Sequence, residues 1–451
     1  MTTPGGTDRQ YRRVINAWAM YDWANSAFAT TIGAAVLPPF AVSLARNAGL
    51  SENTATAYWG YTNAFSMLLM AVLGPVLGTL ADLTGARKRF LAACALLGVL
   101  ASAGLAFVGS DSYVLVCVLF VAGGTGFAAG NIFYESLLPH IARPGDLDRV
   151  SARGYAFGYV GGGLLLVLNA LWIAKPHWFC FPDRAAAVRG SFLSVAVWWA
   201  VFTLPLLWRV PEPAATAAGL GVGRAIGGSF RQLGQTLHAI GRYRHLTLFL
   251  GAFWIYNDGI STIIKMATVY GKSIGIGETD MILALVLTQF IGVPCAFAFA
   301  ALAGRIGTKA AILIGVGAYA LIAVLGFFMR EAWHFYLLAI LVGMVQGGTQ
   351  ALSRSLFAAM VPKHQAAEFF GFYSTGAKFA GILGPLLFGA VSQSVGSRWG
   401  IVSIILFFLV GGGLLLRLNV AEAVRVAREA EAAEAGGASA ARTSQPGCPR
   451  P

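Results

Sequence analysis

The sequence predicts an all-α membrane protein with twelve transmembrane helices, arranged as two pseudo-symmetric bundles of six. Three observations lead to this fold class. The composition is 57% hydrophobic and only 11% charged over 451 residues, which is too apolar for soluble domains of this length. The apolar residues are collected in about twelve runs that are long enough to cross a bilayer. Motifs of the first half of the chain recur in the second half in the same order.

The apolar runs set the number of spans. A helix needs about 20 apolar residues to cross a hydrocarbon core of roughly 30 Å, because its backbone polar groups must be paired inside the lipid. Span 1 carries Asp22 and ends at Pro38 and Pro39, so we interpret it as a functional helix and expect no cleaved signal peptide. The predicted spans, numbered 1 to 12, cover residues 15–38, 58–80, 90–108, 114–138, 154–174, 191–208, 246–270, 280–303, 310–328, 334–360, 369–395 and 399–417.

The net charge of +13 does not indicate a nucleic-acid partner, because the basic residues alternate from loop to loop. With these spans, about 23 of the 32 lysines and arginines lie on one side of the membrane and about 7 on the other. Arg354 and Arg417, near the ends of spans 10 and 12, are counted with the first side, and the remaining two, Lys265 and Lys378, fall inside spans. The positive-inside rule therefore places both termini in the cytoplasm and requires an even number of spans. We expect the membrane to be a bacterial-type plasma (inner) membrane.

Cysteine and histidine give no indication of a cofactor. The five cysteines are scattered, without disulfide or metal-ligand spacing, and His177 and Cys180 form an isolated pair in a loop. No Ser/His/Asp set or pair of carboxylates occurs in a loop domain. We therefore expect no metal, no cofactor and no enzymatic activity.

An internal repeat divides the chain into halves. YDWANS (21–26) in span 1 matches YNDGIS (256–261) in span 7, and GTLADLTGARKR (78–89) matches the degraded AALAGRIGTK (300–309). GGT recurs in spans 4 and 10, and spans 5 and 11 are both rich in glycine. Duplication of a six-helix unit explains these matches. We predict an N-terminal half at 1–208, a linker at 209–245 that is an amphipathic surface helix or a flexible tether, a C-terminal half at 246–419, and a cytoplasmic, partly disordered tail at 420–451.

Charged residues inside the spans are the first candidates for a solute or proton site, because ionisable groups are costly in lipid. Asp22 and Asp258 lie in the corresponding spans 1 and 7, which predicts that they face one shared central cavity. Because a buried carboxylate can bind and release a proton, transport can be coupled to protons. Alternatively, the two aspartates cap neighbouring helix ends or pair with Asn25 and Asn257.

Other residues of the spans are candidates for the same cavity. Lys378 in span 11 is predicted to bind an anionic group such as a carboxylate, or else to form a fixed ion pair with one of the aspartates. Lys265 lies on the same helix face as Asp258, and its long side chain can extend to the membrane interface. Polar and aromatic residues that line the cavity, or alternatively only join helices, are Tyr21, Trp23, Asn25, Asn131, Tyr134, Gln346, Gln350, Tyr256, Asn257 and Tyr373.

The loop between spans 2 and 3 is predicted to form a gate. A carboxylate and a guanidinium in so short a loop can hold one half against the other in one state and release it in the next. A plain topology-setting loop is the alternative. Glu135 and Arg354, near the ends of spans 4 and 10, are predicted either to form a gating ion pair or to lie at the interface without gating. The loop residues assigned to the gate are Gly78, Asp82, Gly85, Arg87 and Lys88.

The loop motif and its decayed copy resemble the major facilitator superfamily of transporters over essentially the whole chain. Six segments resemble its "unknown major facilitator" branch, which includes the fungal vacuolar amino-acid effluxer linked to autophagy. The resemblance implies twelve helices and alternating access and, for the fungal member, export of amino acids such as leucine. The six segments are YDWANSAFATTI (21–32), FYESLLPHIA (133–142), GYVGGGLLL (158–166), YNDGISTIIKMATVYG (256–271), GGTQALSRSLFAAMVP (347–362) and FFGFYSTGAKFAGILGPLLFG (369–389).

We therefore expect a secondary transporter, monomeric in the lipid bilayer, whose halves rock around a central site. Its expected partners are a small organic solute, neutral amino acids first, and protons. Efflux of a drug-like or lipid-like molecule is the alternative transport function. A transporter-like membrane sensor is an alternative of a different class, against which the lack of a predicted soluble domain argues.

Overall fold

The computed structural model describes residues 8–50, 52–109, 112–213, 243–273 and 275–443. Over these ranges the chain is helical with short connections. The elements of the first half are α1 (Asp8–Ala27), a π-helical segment (Phe28–Ala35), α2 (Leu37–Asn47), α3 (Glu52–Thr84), α4 (Arg87–Leu105), α5 (Tyr113–Ile141), α6 (Leu147–Ala174), a 3₁₀ turn (Pro176–Phe179) and α7 (Arg184–Arg209).

The second half has the same succession of long helices and adds a helical tail. Its elements are α8 (Arg244–Ser273), α9 (Glu278–Ile306), α10 (Thr308–Phe327), α11 (Ala332–Met360), a 3₁₀ turn (Lys363–Gln365), α12 (Ala366–Ser394), α13 (Ser397–Ser403), α14 (Ile405–Leu416) and α15 (Val420–Thr443). Each of the twelve predicted spans coincides with one of these helices or helix pairs.

Span 1 is longer than the sequence predicts, and it is broken. Its two parts, Asp8–Ala35 and Leu37–Asn47, meet at a bend of 43°. Pro38 and Pro39 lie at the start of the second part. Their rings lack an N–H and collide with the carbonyl groups four residues earlier, so a regular helix cannot continue through this point.

The helices are long enough for a membrane protein with many spans. In the described part of the chain, nine helices pass a test of length and hydropathy for crossing a membrane, or ten if the bent pair counts as one span. Two further helices, α8 and α12, occupy the places of spans 7 and 11 and are 30 and 29 residues long. At about 1.5 Å per residue each exceeds the roughly 30 Å of a hydrocarbon core.

The two halves pack against each other through two matching pairs of helices. Within the first half α1 packs on α6 and α7, and within the second half α8 packs on α12 and α14. Between the halves, α3 packs on α12 and α6 packs on α9. Because span 2 meets span 11 and span 5 meets span 8, the contacts have the pairing expected of a duplicated bundle.

Helix ends on one side of the bundle carry basic loops, and we call this side the basic face. It contains Arg87, Arg143 and Lys363, and both ends of the described chain reach it. Arg143 pairs with Asp8 at 2.8 Å, and the backbone N–H of Lys363 donates to Glu431 of α15 at 2.9 Å. We call the other side the opposite face.

The first part of the predicted tail forms the 24-residue helix α15. Residues 444–451 lie outside the described residues, so partial disorder of the tail stays a prediction. Ala423, Ala427 and Ala430 recur on one side of α15 and are buried, so this side packs on the bundle. Of the predicted linker, residues 214–242 also lie outside the described residues, so its amphipathic helix stays a prediction.

Candidate functional site

A buried arginine of the second half lies at the contact between the halves. The side chain of Arg354 on α11 is 2% exposed, and its Nη1 lies 3.2 Å from Oδ2 of Asp22 on α1 and 4.0 Å from Oε1 of Glu135 on α5. Its Nε donates to the hydroxyl oxygen of Ser151 at 2.9 Å, and its Nη2 donates to the carbonyl oxygen of Ser151 at 2.8 Å. All these partners belong to the first half, so this guanidinium joins the two halves.

Three aromatic rings surround the same guanidinium. Its Cζ lies 4.3 Å from the ring centroid of Tyr155, 5.2 Å from that of Trp18 and 5.6 Å from that of Tyr134. The Tyr134 hydroxyl also donates to Asp22 at 2.8 Å. Aromatic faces attract a desolvated cation, and hydrogen bonds of this kind offset part of the cost of burying an ion pair. We define the arginine cluster as Asp22, Tyr134, Glu135, Ser151 and Arg354.

Two carboxylates of the arginine cluster remain partly accessible between the halves. The side chains of Asp22 and Glu135 are 16% and 15% exposed. Asn131 precedes Glu135 by one helical turn and Gln350 precedes Arg354 by one turn, and both are half-buried. These side chains, at or within one helical turn of the arginine cluster, therefore keep part of their surface accessible.

Asp82, near the end of α3, holds the first turn of α12. Its carboxylate accepts hydrogen bonds from the backbone N–H groups of Ala367 at 3.1 Å and Glu368 at 2.8 Å, and from Nε of Arg87 at 2.9 Å. A helix N-terminus favours a negative charge. Arg87 also donates to the carbonyl oxygen of Lys363 at 3.3 Å. The predicted pair of Asp82 and Arg87 thus lies across the contact between the halves.

The glycines of the same loop motif have specific places. A Cβ at Gly78 would lie 2.1 Å from the carbonyl oxygen of Ala367, so only glycine allows α3 and α12 this close together. Gly85 has a φ of 63°, which a glycine adopts without strain, as expected for a tight turn. Lys88, in contrast, stays within the first half, where its Nζ donates to the carbonyl oxygen of Val210 at 2.6 Å.

A third contact between the halves was not predicted from the sequence. Asp148 at the start of α6 accepts hydrogen bonds from the hydroxyl groups of Thr308, at 2.7 Å, and Ser355. One turn further along α6, Ser151 contacts Arg354. Asp148, Ser151 and Tyr155 recur every three or four residues, which places them on one helix face. That spacing is the signal by which they could have been identified.

Asp258 has surroundings different from those of Asp22. It is 1% exposed, and both of its carboxylate oxygens lie 3.0 Å from the backbone nitrogen of Gly384 on α12, within the same half. On the same pair of helices, Nζ of Lys265 lies 3.5 Å from the carbonyl oxygen of Gly381. Asp22 contacts the other half, whereas Asp258 contacts its own half, so the shared cavity of these two carboxylates stays a prediction. A solute-binding role of Asp258 stays a prediction.

The remaining predicted residues are divided between the halves. Lys378 lies on α12, and its side chain is outside the part that the structure describes. The hydroxyl groups of Tyr256 and Ser353 are hydrogen-bonded at 2.6 Å. Asn25 donates to the side-chain oxygen of Asn131. Two further candidates are buried, Tyr21 and Asn257.

Comparison with known proteins shows the family of this chain and solved structures that share its fold. Residues 10–428 match the family model described as "Vacuole effluxer Atg22 like". The chain is 38% identical over 405 residues to the uncharacterized MFS-type transporter YxiO of Bacillus subtilis, covering 89% of this chain and 94% of the relative. It is 25% identical over 496 residues to autophagy-related protein 22 of Coccidioides immitis, covering 93% and 81% of the two chains.

Solved structures of major facilitator transporters have the same fold. The proton:xylose symporter XylE superposes with a TM-score of 0.69 at 14% identity, over 91% of this chain and 96% of its own. The human organic anion transporter MFSD10 superposes with a TM-score of 0.70 at 16% identity, over 92% of this chain and all of its own. At these identities the likeness concerns the fold alone.

Proposed function

We propose that this chain, which belongs to the Atg22-like vacuole effluxer family of the major facilitator superfamily, transports neutral amino acids. In this proposal the amino acid crosses the membrane in a proton-coupled cycle. As a member of that family the chain is a multi-pass membrane transporter for small molecules and not an enzyme. The solute class, the coupling and the roles of individual residues are the parts that we propose.

One observation carries the proposal: both carboxylates next to Arg354 come from the opposite half. A buried guanidinium needs a counter-charge. When the halves separate at the basic face, Arg354 moves with α11, whereas Asp22 and Glu135 stay with α1 and α5. A solute carboxylate that enters between the halves then replaces Asp22 as the partner of Arg354.

The charges left on the first half suit the other end of an amino acid. Once Arg354 has moved away with α11, the carboxylate of Glu135 can take up the positive end of the solute. An ammonium group can bind to this carboxylate and to the face of a neighbouring aromatic ring such as Tyr134. A zwitterion therefore matches the separated arginine cluster, with one charge for each half.

Proton coupling follows from competition for the carboxylate of Asp22. Asp22 is bound by Arg354 and Tyr134, and Glu135 lies on the other side of the same guanidinium group. A proton on Asp22 cancels its attraction to Arg354 and favours separation of the halves at the basic face. Loss of that proton restores the ion pair and favours closure, so each cycle moves a proton together with the change of access.

Two other contacts act with the arginine cluster at the basic face. Asp82 holds the start of α12, and Asp148 holds the start of α10 and the end of α11. All three contacts must open for a solute to leave through this face. We place the basic face in the cytoplasm by the positive-inside rule and the protein in a bacterial plasma membrane, which the Bacillus subtilis relative supports.

Transport into proteoliposomes tests the proposal. We expect uptake of labelled neutral amino acids from a mixed panel to depend on an imposed pH gradient. Arg354→Gln should reduce this uptake by about 100-fold or more, because the solute carboxylate loses the buried cation that binds it, a loss of about 2–5 kcal/mol. Arg143→Gln is the matched control, since Arg143 pairs only with Asp8 on an exposed surface.

Two results would contradict different parts of the proposal. Amino-acid uptake that Arg354→Gln leaves unchanged would remove the arginine cluster from the transport site. Failure of the wild-type protein to carry any amino acid of the panel would reject that solute class. The same assay with drug-like and lipid-like solutes then tests the alternative efflux function.

A further inference from the structure

A proline interrupts the backbone hydrogen bonds of α12. Pro385 lies inside this helix and has no N–H, so the carbonyl group of Gly381, four residues earlier, lacks its usual helical partner. The proline ring also presses on the preceding turn. Inside a membrane a backbone group without a hydrogen bond is costly, and neighbouring side chains commonly supply the missing partner.

Two charged side chains of α8 lie at this interruption. Both carboxylate oxygens of Asp258 lie 3.0 Å from the backbone nitrogen of Gly384, the residue before the proline. The ammonium group of Lys265 lies 3.5 Å from the carbonyl oxygen of Gly381. Asp258 and Lys265 are seven residues apart, hence on one face of α8. The carboxylate of Asp258 thus accepts from the N–H next to the proline, and the ammonium group of Lys265 faces the carbonyl group that the proline leaves without its helical partner.

The contact is fitted closely on both helices. A Cβ at Gly384 would lie 1.9 Å from Oγ1 of Thr262 and 2.7 Å from Oδ1 of Asp258. A Cβ at Gly381 would lie 2.8 Å from Nζ of Lys265. Both glycines therefore leave room for the side chains of α8, and the sequence GILGP (381–385) combines the interruption with the space needed to cover it.

We propose that Asp258 and Lys265 are positioning residues that hold the two parts of α12, before and after Pro385, in one fixed arrangement. We call this arrangement the α12 staple. The first turn of α12 is bound by Asp82 of the other half, and the last part of α12 leads to the opposite face. The staple fixes these two parts relative to α8, so that a change at the start of α12 is transmitted along one defined path.

The staple is independent of the proposed transport chemistry. The proposed function uses Asp22 and Arg354, whereas the staple uses backbone groups of α12 and needs no solute. Hydrogen exchange of the peptide that contains Gly384, and thermal unfolding, can both be measured on the full chain in nanodiscs. Failure of the staple is thereby distinguishable from failure of the amino-acid proposal.

Hydrogen exchange supplies the first test. Asp258→Ala should raise the exchange rate of the Gly384 amide about tenfold or more, because the amide loses its acceptor. Asp258→Asn keeps a side-chain oxygen as acceptor, so its exchange should stay within about threefold of the wild type. Unchanged exchange in Asp258→Ala, or equally fast exchange in both variants, would overturn the staple.

Removal of the proline supplies the second test. Lys265→Met should lower the Tm by a few degrees, because the Gly381 carbonyl loses its cation. Adding Pro385→Ala restores an N–H for that carbonyl, so the double variant should recover most of the lost Tm. A Lys265→Met effect of the same size with and without Pro385 would show that Lys265 does not act through the interruption. Lys309→Met is the control, because the ammonium group of Lys309 binds carbonyl groups at the end of α14. Pro385→Ala should not recover the Tm that Lys309→Met loses.

Discussion

The first helices of the two halves carry their aspartates in different directions. Asp22 on α1 points to the other half and binds Arg354, whereas Asp258 on α8 points into its own half and binds Gly384. The repeat aligns Tyr21 with Tyr256, so Asp22 corresponds to Asn257 and Asp258 is displaced by one residue. One residue turns a side chain by about 100° around a helix. Because of this displacement, Asp22 contacts the other half, whereas Asp258 contacts its own half.

This difference shows that the two halves share the arrangement of their helices but not the partners of their carboxylates. Similar helices pack in similar pairs in both halves, while a shift of one residue gives each carboxylate a different partner. In the two proposals above, the carboxylate of the first half takes part in the transport cycle and the carboxylate of the second half supports α12. Each prediction below compares a feature of one half with its counterpart.

The largest expected difference concerns coupling to protons. Asp22→Asn keeps the shape of the side chain and removes its titration, so accumulation of amino acids driven by a pH gradient should be abolished. Exchange of labelled for unlabelled solute without a gradient should continue, because it needs no net proton movement. Asp258→Asn should keep both activities. Gradient-driven uptake and exchange are measured in the same proteoliposomes.

The ratio of the two activities is the decisive quantity. It does not depend on how much of each variant folds, since both activities come from the same preparation. Loss of gradient-driven accumulation in Asp258→Asn with exchange intact would reverse the assignment of the two carboxylates. Equal loss of both activities in Asp22→Asn would make Asp22 a solute ligand without a role in coupling.

The glycines, unlike the carboxylates, have matching roles in the two halves. A Cβ at Gly161 on α6 would lie 2.6 Å from the carbonyl oxygen of Trp23, and a Cβ at Gly384 on α12 would lie 1.9 Å from Oγ1 of Thr262. Substitution of either glycine by alanine should lower the free energy of unfolding by about 1–3 kcal/mol, since the packed helices must move apart. Chemical or thermal unfolding in detergent measures the change.

Two glycines on the same helices are matched controls. Gly163 on α6 and Gly389 on α12 have no atom within 4 Å of an added Cβ. Alanine at these positions should be neutral or stabilising by up to about 1 kcal/mol, because alanine favours helix more than glycine does. Destabilisation at only one of Gly161 and Gly384 would show that close packing is a property of one half.

The sequence predicts the spans better than it predicts the partners of their charges. Long apolar runs are imposed by the thickness of the hydrocarbon core, so all twelve predicted spans coincide with helices. The loop motif predicts a gate at Asp82 and Arg87, and these two residues contact the start of α12 and the turn before it, but their gating role stays a prediction. The partner of Asp22 was not predictable, because side-chain direction depends on a register of one residue and on the way the halves meet. Asp148 was missed for the same reason, since its partners belong to the other half.

The smallest expected effect separates two adjacent basic residues of the predicted gate. Arg87 reaches the other half, whereas Lys88 binds Val210 of its own half. Lys88→Gln should therefore change the free energy of unfolding by less than about 1.5 kcal/mol, the value of one ordinary hydrogen bond, and should not change opening of the basic face. Arg87→Gln should increase opening of the basic face.

Opening of the basic face is measured as the rate of alkylation of a cysteine introduced by Ala366→Cys, after replacement of the five native cysteines by serine. Ala366 is fully buried at the start of α12. Equally fast alkylation in Lys88→Gln and Arg87→Gln would mean that the gate depends on the total charge of the loop and not on the bonds that cross between the halves.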